Sequence, residues 1–354
     1  MPSAALSQIT DAGEMLAGMR AALSQVVPEF ELPRKARLAA EINRLKRQKN
    51  AVILGHNYME PALFNTIPDF VGDSLELCRQ AARTDADIIV FCGVKFMAET
   101  AKVLNPAKTV LLPSLKAGCS LAASITGDDV RQLRERFPGV PVVSYVNTYA
   151  DVKAESDICC TSGNAVAVVE SLGADTVIFL PDEYLARNVA HETGRHIIFP
   201  TRNPSGLQAP TGLDVQMVGW HGRCEVHDKF SVDDILNVRL QYPDVVILSH
   251  PECSPEVVAA SDFSGSTSRM IQFVRETHAP QYLVLTECSM GDNIAAANPD
   301  KDMLRLCSVR CPHMNQITLE DTLESLHKSQ FVIDLPPDTI GRASRAVERM
   351  IAIG

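Results

Sequence analysis

The sequence predicts an α/β protein of three homologous three-layer α/β/α domains, with parallel sheets arranged around a pseudo-threefold axis. Three observations predict it. Short β-branched runs ending in polar side chains occur three times, an aspartate and a hydroxyl follow each at a fixed distance, and each copy runs on to a cysteine. At 354 residues the chain exceeds one ordinary core.

The first strands are Ala51 to Tyr58, Pro141 to Asn147 and Asp244 to Glu252. Each is a continuous apolar run without alternation, as expected of a parallel strand covered on both faces. Twelve or thirteen residues beyond His56, Tyr145 and His250 stand Asp69, Asp157 and Asp262. Five residues later come Ser74, Ser162 and Thr267, and twelve further on Ala86, Ala174 and Ala279 open another strand. Between hydroxyl and alanine, Leu75 to Arg83, Ala165 to Leu172 and Met270 to Thr277 carry apolar residues at helical spacing. Gly72, Gly163 and Gly265 flank the hydroxyls. Such a cluster opening a helix is an N-cap that leaves backbone N–H groups free for an anion. A cap alone explains any single copy, but three equivalent copies point to carboxylate or phosphate binding.

A helix follows in each copy: Phe96 to Leu104, Glu183 to Glu192, and a shorter, Gly-interrupted one near Ile294. A third strand then leads to Cys119, Cys224 or Cys311. The distances from the repeat alanine are 33, 50 and 32 residues, so the second copy carries an insertion, placed in the Gly/Pro-rich stretch from Thr201 to Met217. The expected division is an N-terminal helical extension (1–34), repeats at 35–138, 139–240 and 241–325, and a C-terminal helical tail (326–354) packing back on the body. Arg34 to Lys46 reads as an entry helix with a cationic face. The C-terminal segment from about Thr318, with its amphipathic stretch Ala343 to Ile351, reads as lying outside the repeats.

A net charge of −10 argues against nucleic acid as the main partner and requires that any anionic substrate meet locally placed donors. No signal-peptide pattern opens the chain and no apolar run approaches a membrane span, so a cytoplasmic protein without membrane contact is expected. In a reducing compartment ten cysteines are buried thiols or metal ligands rather than disulfides. Open α/β sheets bind ligands beyond the carboxyl ends of their strands. Three units turned inward would therefore bring Cys119, Cys224 and Cys311 together, which suits a [4Fe-4S] cluster with three Cys ligands and one open iron. Zinc held by the three thiols with His227 or His313 is the rival, and three core cysteines are the plainer alternative. Cys78, Cys92, Cys159, Cys160, Cys253, Cys288 and Cys307 read as packing. His56, Tyr58, Tyr145, Asn147, His250 and Glu252 would surround the axis with acids, bases and donors, and His227 would lie beside Cys224. His191, His196, His221, His278 and His327 read as surface or structural.

Gly-His56-Asn-Tyr58, Gly72-Asp-Ser74, Phe96-Met-Ala-Glu-Thr-Ala-Lys102, Gly118-Cys119-Ser, Tyr145-Val-Asn147, Thr161-Ser162-Gly-Asn-Ala, Cys224-Glu-Val-His227, His250-Pro-Glu252, Gly265-Ser266-Thr267 and Cys311-Pro-His-Met form an ordered set. The set, spanning roughly residues 35 to 325, resembles the quinolinate synthases, the A proteins of bacterial NAD biosynthesis. That resemblance implies condensation of iminosuccinate with dihydroxyacetone phosphate to quinolinate, with loss of phosphate and water. It implies Cys119, Cys224 and Cys311 as ligands of the [4Fe-4S] cluster. Substrate contacts would be His56, Ser74, Tyr145, Asn147, Ser162, His250, Glu252, Ser266 and Thr267, with Glu252, His250, Tyr58 and His227 in proton transfer. Aspartate oxidase would be a transient partner supplying the imine. Some members carry a tighter C-x-x-C-x-x-C run at the third ligand; it is absent here, and so is the basis for a redox switch built on it. Two other readings use the same residues: an iron-sulfur dehydratase acting on another hydroxy acid, and a zinc-stapled binding protein.

Overall fold

The computed structural model describes residues 6–203, 206–208, 214–304 and 309–353. Two helices come first, α1 (Ala12–Leu23) and α2 (Leu32–Gln48). The first repeat follows as β1 (Ala51–His56), α3 (Pro61–Thr66), β2 (Phe70–Gly72), α4 (Ser74–Arg83), β3 (Ile88–Cys92), α5 (Lys95–Leu104) and β4 (Thr109–Leu111). Helix α6 (Gly127–Arg136) leads into β5 (Val142–Tyr145), α7 (Ala150–Ala154), β6 (Ile158–Cys160), α8 (Ala165–Ser171), β7 (Val177–Leu180) and α9 (Glu183–Glu192). The second repeat then adds β8 (Ile197–Ile198), a hairpin of β9 (Thr201–Asn203) and β10 (Gly206–Gln208), and β11 (Met217–Val218). Helix α10 (Val232–Gln241) opens the third: β12 (Val245–Ser249), α11 (Pro255–Ala260), β13 (Phe263–Ser264), α12 (Thr267–Glu276), β14 (Gln281–Leu285), α13 (Cys288–Ala297) and β15 (Asp302–Leu304). Helices α14 (Leu319–Lys328) and α15 (Pro337–Ile353) follow.

Three parallel sheets result, ordered β2-β1-β3-β4, β6-β5-β7-β11-β8 and β13-β12-β14-β15, interleaved with helices as three α/β/α units. The leading strand of each is buried on both faces, with Ile53, Leu54, Val142, Val143, Ile247 and Leu248 fully enclosed. That burial explains the unbroken apolar runs. In each sheet the chain leaves the leading strand to one side and returns on the other, so a crevice opens beyond the carboxyl ends of the first and third strands.

The recurring aspartates hold this geometry. Asp69, Asp157 and Asp262 each accept an N–H of the leading strand, from Ile53 (2.9 Å), Val142 (2.7 Å) and Ile247 (2.8 Å). Each also pairs with a cation on the helix before that strand: Lys46 (2.8 Å), Arg134 (2.8 Å) and Arg239 (3.0 Å). Lys46, expected on a cationic surface, is buried, and its ammonium also donates to the carbonyls of Ser7 and Ile67.

Four sequence expectations change. The N-terminal extension, expected to run to residue 34, gives way to α2 at Leu32, and Pro33 stands in that helix's first turn, where its missing N–H costs nothing. Helix α13 is a full ten residues despite Gly291, whose added Cβ would meet open space. In the second repeat the strand beside β7 is β11; the run Arg195 to Pro200 supplies β8, displaced to the sheet edge. Finally, α14 is not a tail. It begins eight residues after Cys311, as α6 begins eight after Cys119 and α10 eight after Cys224, and each of the three spans ten residues. The boundary expected at 325 falls inside it.

Two of these helices open on full capping boxes, Thr126 with Asp129 and Ser231 with Asp234. Thr318 caps α14 by accepting from the Asp321 amide at 3.1 Å. Helix α14 packs beside α2 on the first unit, where Arg34 reaches Glu320 at 2.9 Å. The chain beyond it bridges the edge of β4, Ile333 N–H donating to Val110 at 2.8 Å, and so covers unpaired strand groups. Helix α15 buries Ala343, Ala346, Val347 and Met350 against α7 and β6.

The aspartate locks differ in exposure, and their removal is expected to differ in cost. Asp69→Ala strands the buried Lys46 ammonium and lowers stability by about 3 kcal/mol, whereas Asp262→Ala, beside the half-exposed Arg239, costs about 1 kcal/mol. Denaturant midpoints of the two variants check the order.

Candidate active site

The crevices of the three units open on one cavity. It is lined by Cys119, Cys224 and Cys311 together with His56, Tyr58, Ser74, Tyr145, Asn147, Ser162, His227, His250, Glu252 and Thr267. Of the residues expected at the site, Ser266 is not on the wall. It caps α12, and its hydroxyl donates to Asp73 at 3.1 Å, tying the third repeat to the first. The hydroxyls of Ser74 and Thr267 are not caps, as the sequence suggested. They are the first helical residues, capped by Asp73 and Ser266, while Ser162 sits in a turn before α8.

Each lining cysteine precedes a 3-10 turn, Ala122–Ser124, His227–Lys229 or Met314–Gln316, that starts three residues later. Such a turn aims successive amides back at the sulfur. Cys119 Sγ accepts from Ala122 N–H and Cys311 Sγ from Met314 N–H, both at 3.5 Å, and the amides of Val226 and His227 serve Cys224. Burial nonetheless pushes the thiols up, to about 12 for Cys119, about 11 for Cys311 and well above the ordinary range for Cys224, with Cys119 also opposed by Cys311. Thiolates so placed require a compensating cation. No Lys or Arg stands among the described residues on the wall, so a metal group is what the donor set fits. A ligand nitrogen or oxygen of His227 and Glu252 lies with Cys224 Sγ inside a 4.8 Å span, a second arrangement able to hold an ion.

Residues flanking the cysteines link the repeats. Glu225 Oε1 accepts from Ser120 at 2.8 Å and lies 3.1 Å from His313 Nε2. Behind two of the cysteines stand buried carboxylates: Asp182 accepts the Cys224 amide at 3.0 Å, and Glu287 accepts that of Cys311. Burial raises both, Glu287 to about 7. The first repeat has Val94 at this position.

Glu252 is the hub of the polar wall. It accepts from the Tyr145 hydroxyl and from Asn147 Nδ2 (3.2 Å) on one oxygen, and its other oxygen lies 2.7 Å from His227 Nδ1. Burial opposes its charge, but His227 and the Tyr145 hydrogen bond outweigh burial and hold the carboxyl well below its usual range. His227 completes its ring contacts through Nε2, 2.9 Å from Thr286 Oγ1, and stacks on His250 with centroids 4.5 Å apart. Both ring nitrogens of His227 are therefore hydrogen-bonded, and His313 faces Glu225.

His56 and His250 share one local device. The Nδ1 of each accepts the amide two residues on, from Tyr58 (3.2 Å) and Glu252 (3.3 Å). A neutral imidazole accepting at Nδ1 carries its proton on Nε2. Burial keeps both rings neutral, lowered to about 4 for His56 and about 3 for His250. The His250 Nε2–H donates to Ser162 at 3.2 Å. Together with the hydroxyls and the Asn147 amide, these rings form a wall of neutral donors suited to carboxylates.

Sequence reading missed Asn57, Asp73, Thr161 and Thr286. Asn57 donates to Thr267 at 2.9 Å, and Thr286 touches both Tyr58 (2.6 Å) and His227. Thr286 stands just past β14, a strand end that the topology brings to the crevice as surely as the first. A second missed signal lay in the cysteines themselves. A hydroxyl seven residues after each, Thr126, Ser231 and Thr318, is followed three later by Asp129, Asp234 and Asp321. The five other thiols read as packing that are buried, Cys78, Cys92, Cys159, Cys160 and Cys253, stay off this wall, and Cys288 lies on α13; Cys307 falls outside the described residues.

Comparison with known proteins places this geometry. The family described as Quinolinate synthetase A protein matches residues 40–352. Quinolinate synthase 2 of Mesorhizobium japonicum is 52% identical over 331 residues, covering 94% of this chain and 96% of its own. Quinolinate synthase of Xylella fastidiosa is 52% identical over 312 residues (88% and 86%), and that of Agrobacterium fabrum 50% over 331 (94% and 90%). With its fold, its ordered motifs and near-full-length likeness in agreement, the chain belongs to the quinolinate synthetase A protein family.

Proposed function

We propose that this chain condenses iminosuccinate with dihydroxyacetone phosphate to quinolinate, with loss of phosphate and water, in de novo NAD biosynthesis. The observation that carries the reading is the meeting of three cysteine turns and the Glu252 network on one cavity wall. Cys119, Cys224 and Cys311 would hold a [4Fe-4S] cluster, one from each repeat. Such a cluster, with one iron free of protein ligands, supplies Lewis acidity toward a substrate hydroxyl that leaves as water.

The remaining chemistry belongs to side chains. Iminosuccinate is a dicarboxylate, and a wall with no Lys or Arg among its described residues would hold it by neutral donors. His56, His250, Ser74, Ser162, Asn147 and Thr267 fill that role, with Ser266 acting through Asp73. Donors fixed by backbone amides need little reorganisation when the anion arrives. Glu252, ionised and buried, is a base for carbon acids beside an imine or carbonyl, and Tyr145 and His227 hold its oxygens in place. Tyr58 and His250 stand close enough to exchange protons with the same substrate. Because the imine hydrolyses readily in water, an aspartate oxidase that produces it is the partner this chemistry calls for, and a cytoplasmic setting suits an oxygen-sensitive cluster.

Glu252→Gln keeps the shape and removes the base. Turnover should fall at least about 100-fold while anaerobic iron and sulfide content and the brown absorption stay at wild-type values. A variant with wild-type turnover would remove Glu252 from the mechanism. Cys119→Ala, Cys224→Ala and Cys311→Ala, purified without air, should each lose iron and acid-labile sulfide. Zinc without sulfide in the wild type would favour the stapled binding protein, and a cluster without consumption of dihydroxyacetone phosphate would favour a different dehydratase.

The histidines add a pH dependence. Unfolded imidazoles titrate near 6.5, above the folded values of about 4 and about 3, so acidification loads protons on the unfolded chain first. Stability contributed by His56 and His250 is complete above about pH 6.5 and declines as pH falls toward 4. Denaturant midpoints between pH 7 and 5 should fall, and fall less in His56→Gln.

A further inference from the structure

We propose that Lys153 is a positioning residue for the reaction proposed above, on which this inference rests: its ammonium holds the turn that aims Asn147 at the dicarboxylate substrate. Lys153 lies on α7, is fully buried and stands off the cavity wall, so it acts through the chain around it. Its ammonium donates to the carbonyls of Val146 (2.8 Å) and Thr148, the residues on either side of Asn147. It also lies 5.6 Å from the centroid of Phe96, a ring that does line the cavity. The charge is thus supported by two carbonyls and an aromatic face, with no carboxylate in the hydrogen-bond set, an arrangement that is costly to bury.

The repeats themselves give the reason for that cost. In the first and third, the histidine at the end of the leading strand accepts at Nδ1 the amide two residues on, Tyr58 (3.2 Å) and Glu252 (3.3 Å), and so fixes the residue that faces the cavity. The second repeat has Tyr145 at this place and Asn147 two residues on. A phenol ring carries no acceptor where Nδ1 would be, and the Tyr145 hydroxyl is engaged at Glu252. An ammonium with three donors fixes the turn from the carbonyl side instead. The rest of the turn is tied as closely: Val146 N–H donates to the Cys160 carbonyl at 2.8 Å, and Thr148 Oγ1 donates to the Tyr145 carbonyl at 2.9 Å. Glu99, on α5 of the first repeat, accepts the Ala150 amide at 2.8 Å. Held in this way, Asn147 Nδ2 reaches Glu252 of the third repeat at 3.2 Å. Four residues before the repeat aspartates, where the second copy has Lys153, the others have Asn65 and Val258. The cation therefore occurs in the one copy whose strand-end histidine is missing.

Lys153→Met keeps the length of the side chain and removes its donors. In anaerobically purified, cluster-loaded protein, calorimetric titration with malate, a stable four-carbon dicarboxylate, should give a Kd about 10-fold weaker than wild type, with iron and sulfide unchanged. In turnover, KM for iminosuccinate should rise by a similar factor, while KM for dihydroxyacetone phosphate stays within about threefold and kcat falls by no more than about fivefold. Because Lys153 acts through Asn147, adding Lys153→Met to Asn147→Ala should weaken malate binding by less than about threefold beyond Asn147→Ala alone. Wild-type malate affinity in Lys153→Met, equal losses in both KM values, or effects that multiply in the double variant would each overturn the proposal. If Lys153→Met does not fold, Lys153→Gln, whose shorter amide cannot bridge both carbonyls, is titrated in its place, and wild-type affinity there overturns the proposal equally. Consumption of dihydroxyacetone phosphate by the wild type tests the reaction itself, whereas the malate comparison needs no turnover, so the two failures are distinct.

Discussion

Thiolates crowded into a buried cavity repel one another, and Cys119, Cys224 and Cys311 stand where burial already disfavours their charge. Backbone amides from three 3-10 turns offset part of that cost, and a cationic group must offset the rest. The turn, the hydroxyl cap and the ten-residue helix behind each cysteine repeat with identical spacing, because an amide fan reaches a sulfur only if the helix start is held at one distance from it. The third copy of this device closes the ring by packing α14 on the first unit.

The polar wall obeys a related constraint. Lys and Arg are absent from the described lining, and the donors are neutral rings, hydroxyls and an amide. A cavity organised around thiolates and an ionised Glu252 already holds several negative charges. Donors that are neutral by burial and aimed by their own loops can hold an anion without competing with the metal group for those charges. His56 and His250 obtain their tautomers from an amide two residues away, so the aim of each ring is set by a short local turn.

The aspartates show how a repeat can mislead and inform together. Asp69, Asp157 and Asp262 recur at fixed spacing, a pattern that invites a catalytic reading, yet each locks the leading strand to the preceding helix. Their constancy is that of a hinge pin: the leading strand's carboxyl end carries the site, and its lateral position follows from that hydrogen bond. Thr286 illustrates the opposite case, a single hydroxyl that touches side chains from the other two repeats, Tyr58 and His227.

The α/β class, the threefold repeat, the leading strands and the three cysteines could be read from residue order, because strand burial and helix capping are local demands that leave local patterns. So could His56, Tyr145 and His250, which stand at strand ends. Tertiary structure decided which short run of the second repeat lies beside β7, since β8 and β11 are both short apolar runs and both join the sheet, β11 next to β7 and β8 at the edge. It likewise decided that α14 belongs to the repeats, that Lys46 is buried, and that Ser266 serves Asp73 instead of the wall. These outcomes depend on contacts between segments distant in sequence, where neighbours in space, not neighbours in the chain, determine what each polar group can bond.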